Sequence, residues 1–183
     1  SPRKSPFVWF ALKLGCALIL GALALTPAAP VCAQDQIGIY WDGAHTQDTL
    51  ELSQLPGMAT VHIVLVDPVS TSGILGYEFC VNVEGTILFL SWDLAGQTIN
   101  LETPPCFVVG LADPLPPVGN AILLASFECL VSQLPPVIFS VGPTPIPSVP
   151  GEMVYIPADQ PEALVPLGTA TGTPEVAWIN PNN

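Results

Sequence analysis

The chain has 183 residues, half of them hydrophobic, with 15 Asp+Glu against 3 Lys+Arg and 22 prolines. It is too apolar for a disordered polyelectrolyte and too acidic to hold nucleic acid, whose phosphates need Lys and Arg. All three basic side chains, Arg3, Lys4 and Lys13, precede the first carboxylate at Asp35, so from residue 34 onward the carboxylates stand uncompensated. Only backbone amides could clamp a phosphoryl group there, and no Gly-rich loop opens a helix, which excludes nucleotide chemistry.

The basic start Ser1-Pro2-Arg3-Lys4 and then Lys13 lead into an apolar stretch over 14–25, followed by Thr26-Pro27 and the small-residue tail Val31-Cys32-Ala33. That order is the three-part pattern of a secretory signal peptide, with cleavage after Ala33 and Gln34 as the new N-terminus. About twelve apolar residues rise only ~18 Å as a helix, short of the ~30 Å hydrocarbon core, so an uncleaved span is not expected. The mature chain is therefore expected to be secreted or held at the cell surface of a bacterium-like exporter, with no membrane span of its own. The missing initiator methionine points to a gene fragment or an unusual start. The expected division is a signal peptide with its helix over 1–33, a β-sandwich over 34–168, and a C-terminal strand and tail over 169–183, with truncation there left open.

Downstream, residues 36–42, 59–67, 74–84, 87–93, 107–112, 121–131, 137–141 and 153–156 are rich in Val, Ile, Leu, Phe and Tyr and bounded by Gly, Pro, Asn or Asp. That is how strands are punctuated. Two segments alternate clearly: Tyr77, Phe79, Val81 and Val83 against Glu78, Cys80, Asn82 and Glu84, and Ala125, Phe127, Cys129 and Val131 against Ser126 and Glu128. One parity faces a core and the other faces water or a neighbour. No sustained helical period appears, so the chain predicts an all-β, two-sheet antiparallel sandwich. The proline-rich run 142–151 reads as a packed connection between strands in preference to a polyproline ligand. A last strand is expected around Val176-Ala177-Trp178.

The run Gly76-Tyr77-Glu78-Phe79-Cys80-Val81-Asn82-Val83 resembles the Gly-aromatic-x-Phe-x-apolar third strand of the cohesin-like, carbohydrate-binding-module-like jelly-roll family. The likeness continues through Ile87-Leu88-Phe89-Leu90-Ser91-Trp92, Cys106-Phe107-Val108-Val109-Gly110-Leu111-Ala112 and Leu124-Ala125-Ser126-Phe127-Glu128-Cys129-Leu130-Val131, covering 59–141. It implies a nine-stranded jelly-roll sandwich in a surface-display or scaffolding setting. Cysteine stands at 129 where the family commonly has phenylalanine, and no segment matches its partner-binding surface, so dockerin binding is not implied. The resemblance also implies that Cys80, Cys106 and Cys129 share one sheet, the strand of Cys129 in the middle. Parity then sends Cys129 to the core as an unpaired, buried thiol and Cys80 outward, while the pairing among the three stays open.

Catalytic parts are sparse. His45 follows a turn and has Asp48 nearby, without a G-x-S-x-G nucleophile, and His62 reads as a satisfied strand histidine. No enzyme is expected. No cofactor is expected either; calcium is the metal that the uncompensated carboxylates bring into consideration, with Asp159 and Glu162 the best-placed pair, although no D-x-D-x-D-G loop exists. Flat aromatic faces stack on sugars, which makes Tyr40 and Trp41 the candidate ligand-binding residues, whereas Trp92 reads as core. The expected function is a non-catalytic module for adhesion, scaffolding or envelope structure, with a protein or polysaccharide partner at the cell surface. The alternative is a carbohydrate-binding module of a larger exported protein.

Crowded carboxylates are expected to raise one another's folded-state pKa, and added salt to screen the repulsion. The melting temperature should therefore rise between low and physiological ionic strength; a fall would remove self-repulsion as a significant term. Trypsin should leave residues 34–183 uncut even when unfolded.

Overall fold

The computed structural model describes residues 35–133 and 136–182. The expected signal-peptide helix, the cleavage point at Ala33 and residue Pro135 lie outside them. Thirteen strands and no helix are found among the described residues. Eight of them are β1 (Gln36–Tyr40), β3 (Gly57–Val66), β4 (Ile74–Glu84), β5 (Ile87–Leu94), β7 (Cys106–Leu115), β8 (Ala121–Val131), β9 (Val137–Gly142) and β10 (Val154–Pro157). Each overlaps an apolar segment read from the sequence. β13 (Glu175–Ile179) falls at the expected last strand. The short additions are β2 (Thr49–Leu50), β6 (Thr98–Asn100), β11 (Val165–Pro166) and β12 (Gly168–Thr169), too brief to carry a period.

One sheet runs β12-β1-β3-β8-β5, and the second runs β11-β10-β4-β9-β13-β2 with β7 on β4 and β6 on β7. Pairing is antiparallel except for β1 with β12 and β13 with β2, two short parallel contacts at the ends of the sequence order. The sheets face each other across Ile37, Ile39, Val61, Ile63, Leu124, Phe127 and Cys129 on one side and Phe79, Phe107, Phe139, Val176 and Ile179 on the other. Trp92 packs there too, against Phe107 and Phe127.

Gly76 shows why the β4 motif begins with glycine. A Cβ at that position would lie 2.7 Å from the Val109 carbonyl oxygen of β7, closer than any side chain tolerates. Along its other edge β4 meets two strands in succession, β10 over Ile74–Glu78 and β9 over Cys80–Glu84. The proline-rich segment joining β9 to β10 is an excursion from that shared edge. It is tied down by Glu78, which is buried and accepts hydrogen bonds from Thr144 Oγ1 (3.1 Å), Ser148 N–H (2.8 Å) and Ser148 Oγ (2.7 Å).

The cysteines correct the arrangement that the resemblance implied. β4 pairs with β7 so that Cys80 and Cys106 are register partners, and they form a disulfide with 26 residues of sequence separation. Cys129 sits on β8 in the opposite sheet. The chain crosses to that sheet for β5 and returns for β7, so β8 never lies between the two bonded strands. The Cys129 thiol is free and fully buried, and burial pushes its pKa up to about 11.

Replacing both Cys80 and Cys106 with alanine should lower the unfolding free energy in urea by about 3.5 kcal/mol, the loop-closure value for a loop of this length. A loss under about 1 kcal/mol would mean that the bridge does little to constrain the unfolded chain. Iodoacetamide should leave Cys129 unmodified until the protein is denatured.

Candidate functional site

Tyr40 and Trp41 leave β1 in opposite directions because strand residues alternate faces. Ile37 and Ile39 point into the core, so Tyr40 points out, while Trp41 turns in and packs edge-on to Phe139 with ring centroids 5.5 Å apart. Its indole N–H is buried without a hydrogen-bond partner among the described residues. The two aromatic candidates therefore form no common platform. Tyr40 lies back over Gly38, where a Cβ would stand 2.6 Å from the phenol ring. Glycine at 38 is what allows the ring to lie along the sheet.

Beyond Trp41 the chain folds into a tight loop organised by Asp42. Its carboxylate accepts the Thr46 N–H (2.9 Å), the Thr46 hydroxyl (2.8 Å) and the Gln47 N–H (2.8 Å), and its carbonyl accepts the His45 N–H (3.1 Å). Trp41 N–H donates to the Gln47 carbonyl at 2.8 Å and closes the base. His45 sits in this loop at φ 58°, a left-handed conformation that non-glycine residues adopt at a cost.

The loop carries His45 onto the outer face of the first sheet. There it meets Tyr40 at a centroid separation of 5.9 Å and His62 at 6.5 Å. His62 is on β3, directly across from Tyr40 in the β1–β3 register. His62 is a strand histidine, as expected, and its half-buried ring faces outward against a second imidazole. His45 has no serine hydroxyl bonded to its ring among the described residues. Sequence reasoning missed this pair because residues 45 and 62 meet only through the β1–β3 register and the Asp42 turn.

The local electrostatics follow from burial and uncompensated charge. Burial, then the carboxylates of Asp48, Asp67 and Asp42, raise the Tyr40 phenol above its ordinary value. Burial and the neighbouring His62 lower His45, against a smaller opposing pull from Asp42. Asp42 departs from the expectation that crowding raises every carboxylate. The Gln47 amide is the first of several donors that hold it below the usual 3.8.

Other surface features are shallow. A hollow of about 510 Å³ lies over β6 and β7 beside Ile99 and Leu111, and one of about 90 Å³ opens between Glu78, Ser148 and Tyr155. Asp159 accepts a hydrogen bond from Ser70 Oγ at 2.9 Å, and Glu162 is exposed. No group of three or more His, Cys, Asp or Glu side chains converges on one point among the described residues. No helix among them is long and apolar enough to cross a membrane.

No family model matches the chain, and no curated protein matches it. Solved structures do. The sixth cohesin of scaffoldin B from Acetivibrio cellulolyticus, crystallised in complex with a Cel5 dockerin mutant, is similar with a TM-score of 0.53 and 15% identity, over 81% of this chain and 99% of that one. A cohesin module of a Clostridium perfringens family 33 glycoside hydrolase gives a TM-score of 0.45 and 8% identity, over 74% and 90%. The first of these carries the assignment: the fold is a cohesin-like β-sandwich, as the β4 and β8 motifs led one to expect.

Asp42 supplies a test of the loop. Its folded-state pKa lies below the unfolded value, so its contribution to stability is complete above 3.8 and disappears as pH falls through the lower folded value. Asp42→Ala should lower the melting temperature at pH 7, and the deficit should shrink as the pH falls below that range. A deficit independent of pH would mean that the carboxylate's charge is not what braces the loop.

Proposed function

We propose that the chain is an exported, non-catalytic β-sandwich module that acts by surface contact in adhesion, scaffolding or envelope structure. In this reading residues 1–33 direct export and are removed after Ala33, residues 34–168 make the sandwich, and 169–183 contribute its last strand. The observation that carries it is the fold: the similar scaffoldin cohesin was crystallised in complex with a dockerin, a protein partner. The absence of Lys and Arg from residue 34 onward adds a chemical limit, because such a surface repels nucleic acid and other polyanions. A protein partner of this module meets it through cations, neutral donors or apolar contact.

The carbohydrate-binding alternative draws on one observation, the half-exposed Tyr40 ring lying along the sheet face. With Trp41 packed on Phe139, a sugar would have a single aromatic platform.

Expression of the full-length gene in a bacterial host, followed by fractionation and N-terminal sequencing, should recover a product beginning at Gln34 outside the cytoplasmic membrane. An intact product confined to the cytosol would overturn the export reading. On a glycan array, saturable binding lost in Tyr40→Ala would move the assignment to a carbohydrate-binding module. Esterase or glycosidase turnover abolished by His45→Ala would overturn both.

A further inference from the structure

The chain contains two histidines, and the fold brings both to one spot on its outer surface. From residue 34 onward there is no Lys or Arg, so these imidazoles are the only side chains there that offer a nitrogen lone pair. Core packing does not force them together, since His62 projects from the outer face of β3 and His45 is delivered by a separate loop. That loop holds His45 at φ 58° through the hydrogen bonds to Asp42, and Tyr40 flanks its ring. Backbone strain that places a functional side chain is a reason to ask what the side chain does.

The spacing is within a small side-chain adjustment of one ion. With a metal–nitrogen bond of ~2.0–2.1 Å, a ring centroid lies about 3.2 Å from the metal, so two imidazoles on one ion stand roughly 5 Å apart at a tetrahedral angle and at most about 6.4 Å apart when opposed. The observed 6.5 Å lies just beyond the opposed limit, so sharing a tetrahedral ion requires the rings of His45 and His62, both half-buried, to close by roughly 1 Å.

We infer that His45 and His62 form a surface site for a divalent transition-metal ion of the class that prefers imidazole, with Tyr40 and the Asp42 loop positioning His45. No third His, Cys, Asp or Glu completes a cluster among the described residues, so water fills the remaining coordination positions. Imidazole suits zinc, copper and nickel, whereas calcium and magnesium take oxygen ligands, and affinity along the first-row series peaks at Cu²⁺. The surrounding uncompensated carboxylates raise the local concentration of any cation.

The test is a titration of the full chain with Zn²⁺, followed through the imidazole ¹⁵N resonances, a readout blind to thiols and carboxylates elsewhere. Both rings should respond together, at one Zn²⁺ concentration, and Ca²⁺ should leave them unmoved. His45→Asn removes the ring while keeping a residue that tolerates the left-handed conformation, and His62→Gln removes the other. Each should weaken Zn²⁺ binding at the surviving ring by at least about tenfold, since loss of even an outer-shell partner costs 10–100-fold. Circular dichroism on each variant establishes that it is folded. The inference is overturned if the rings titrate at separate Zn²⁺ concentrations, if neither responds, or if a folded single variant binds Zn²⁺ at its remaining ring as the parent does.

Discussion

A run of aromatic rings links the two sheets, and the rest of the molecule is arranged around it. From Trp41 it passes through Phe139, Phe127, Trp92, Phe107 and Phe79 to Tyr77, with successive centroids 5.5, 6.1, 4.4, 5.2, 5.1 and 5.6 Å apart. Trp92 and Phe127 come from one sheet and Phe107, Phe79 and Phe139 from the other, so the run crosses between the sheets. Such pairs add about 0.5–1.5 kcal/mol each beyond the area they bury. They weigh more here than in an ordinary domain, because residues 34–183 have no Lys or Arg with which to build an ion pair. The ring positions also fix strand register, since a slip of one residue would turn every core side chain outward. Once Ile37, Ile39 and Trp41 face in, Tyr40 has no direction but out.

Polar groups obey the same constraint. A carboxylate that leaves water without a cation must be met by N–H and O–H donors. Asp35, buried, takes the Tyr155 hydroxyl at 2.7 Å and the Val69 N–H at 2.9 Å. Glu78 takes Thr144 and Ser148, and Asp42 takes Thr46 and Gln47. Each of these carboxylates fastens a loop: the turn after β3, the proline-rich excursion and the His45 loop. Acidic side chains that composition presents as a liability serve as the anchors of the irregular segments. At Asp42 the donated hydrogen bonds outweigh the opposing penalty of desolvation, and the pKa moves down.

How far the sequence could be read follows from the same physics. Long strands were legible because apolar alternation and proline boundaries are local properties, and the Gly76 motif was legible because β4 and β7 approach too closely for a side chain. The inward turn of Trp41 was legible in principle, since it shares parity with Ile37 and Ile39. What alternation does not carry is the sheet to which a strand belongs. Cys129 lies within a strand read from the sequence and Cys106 just before another, and only the crossover of the chain between β5 and β7 decides that Cys80 bonds to Cys106. The two-residue strands were beyond reach for another reason: they exist because neighbouring backbone offers free edges, with no pattern of their own. The histidine cluster needed both a register and a turn, each weakly encoded.

The composition that forced these solutions also shapes the exposed surface. A domain whose only charged side chains are carboxylates and whose only titratable nitrogens are two imidazoles attracts cations over distances of roughly a Debye length, ~8 Å at physiological salt, and repels other acidic surfaces. A second copy of the same domain is therefore a poor electrostatic partner, and any close association between copies has to rest on apolar or neutral contacts. Against that background the placement of both histidines on one face is not neutral. Where carboxylates gather cations, a pair of imidazoles adds the one preference carboxylates lack, for soft or borderline metals over calcium and magnesium. The core demanded aromatic burial, the loops demanded carboxylate anchors, and one of those anchors, Asp42, holds a histidine in a conformation that the core does not require.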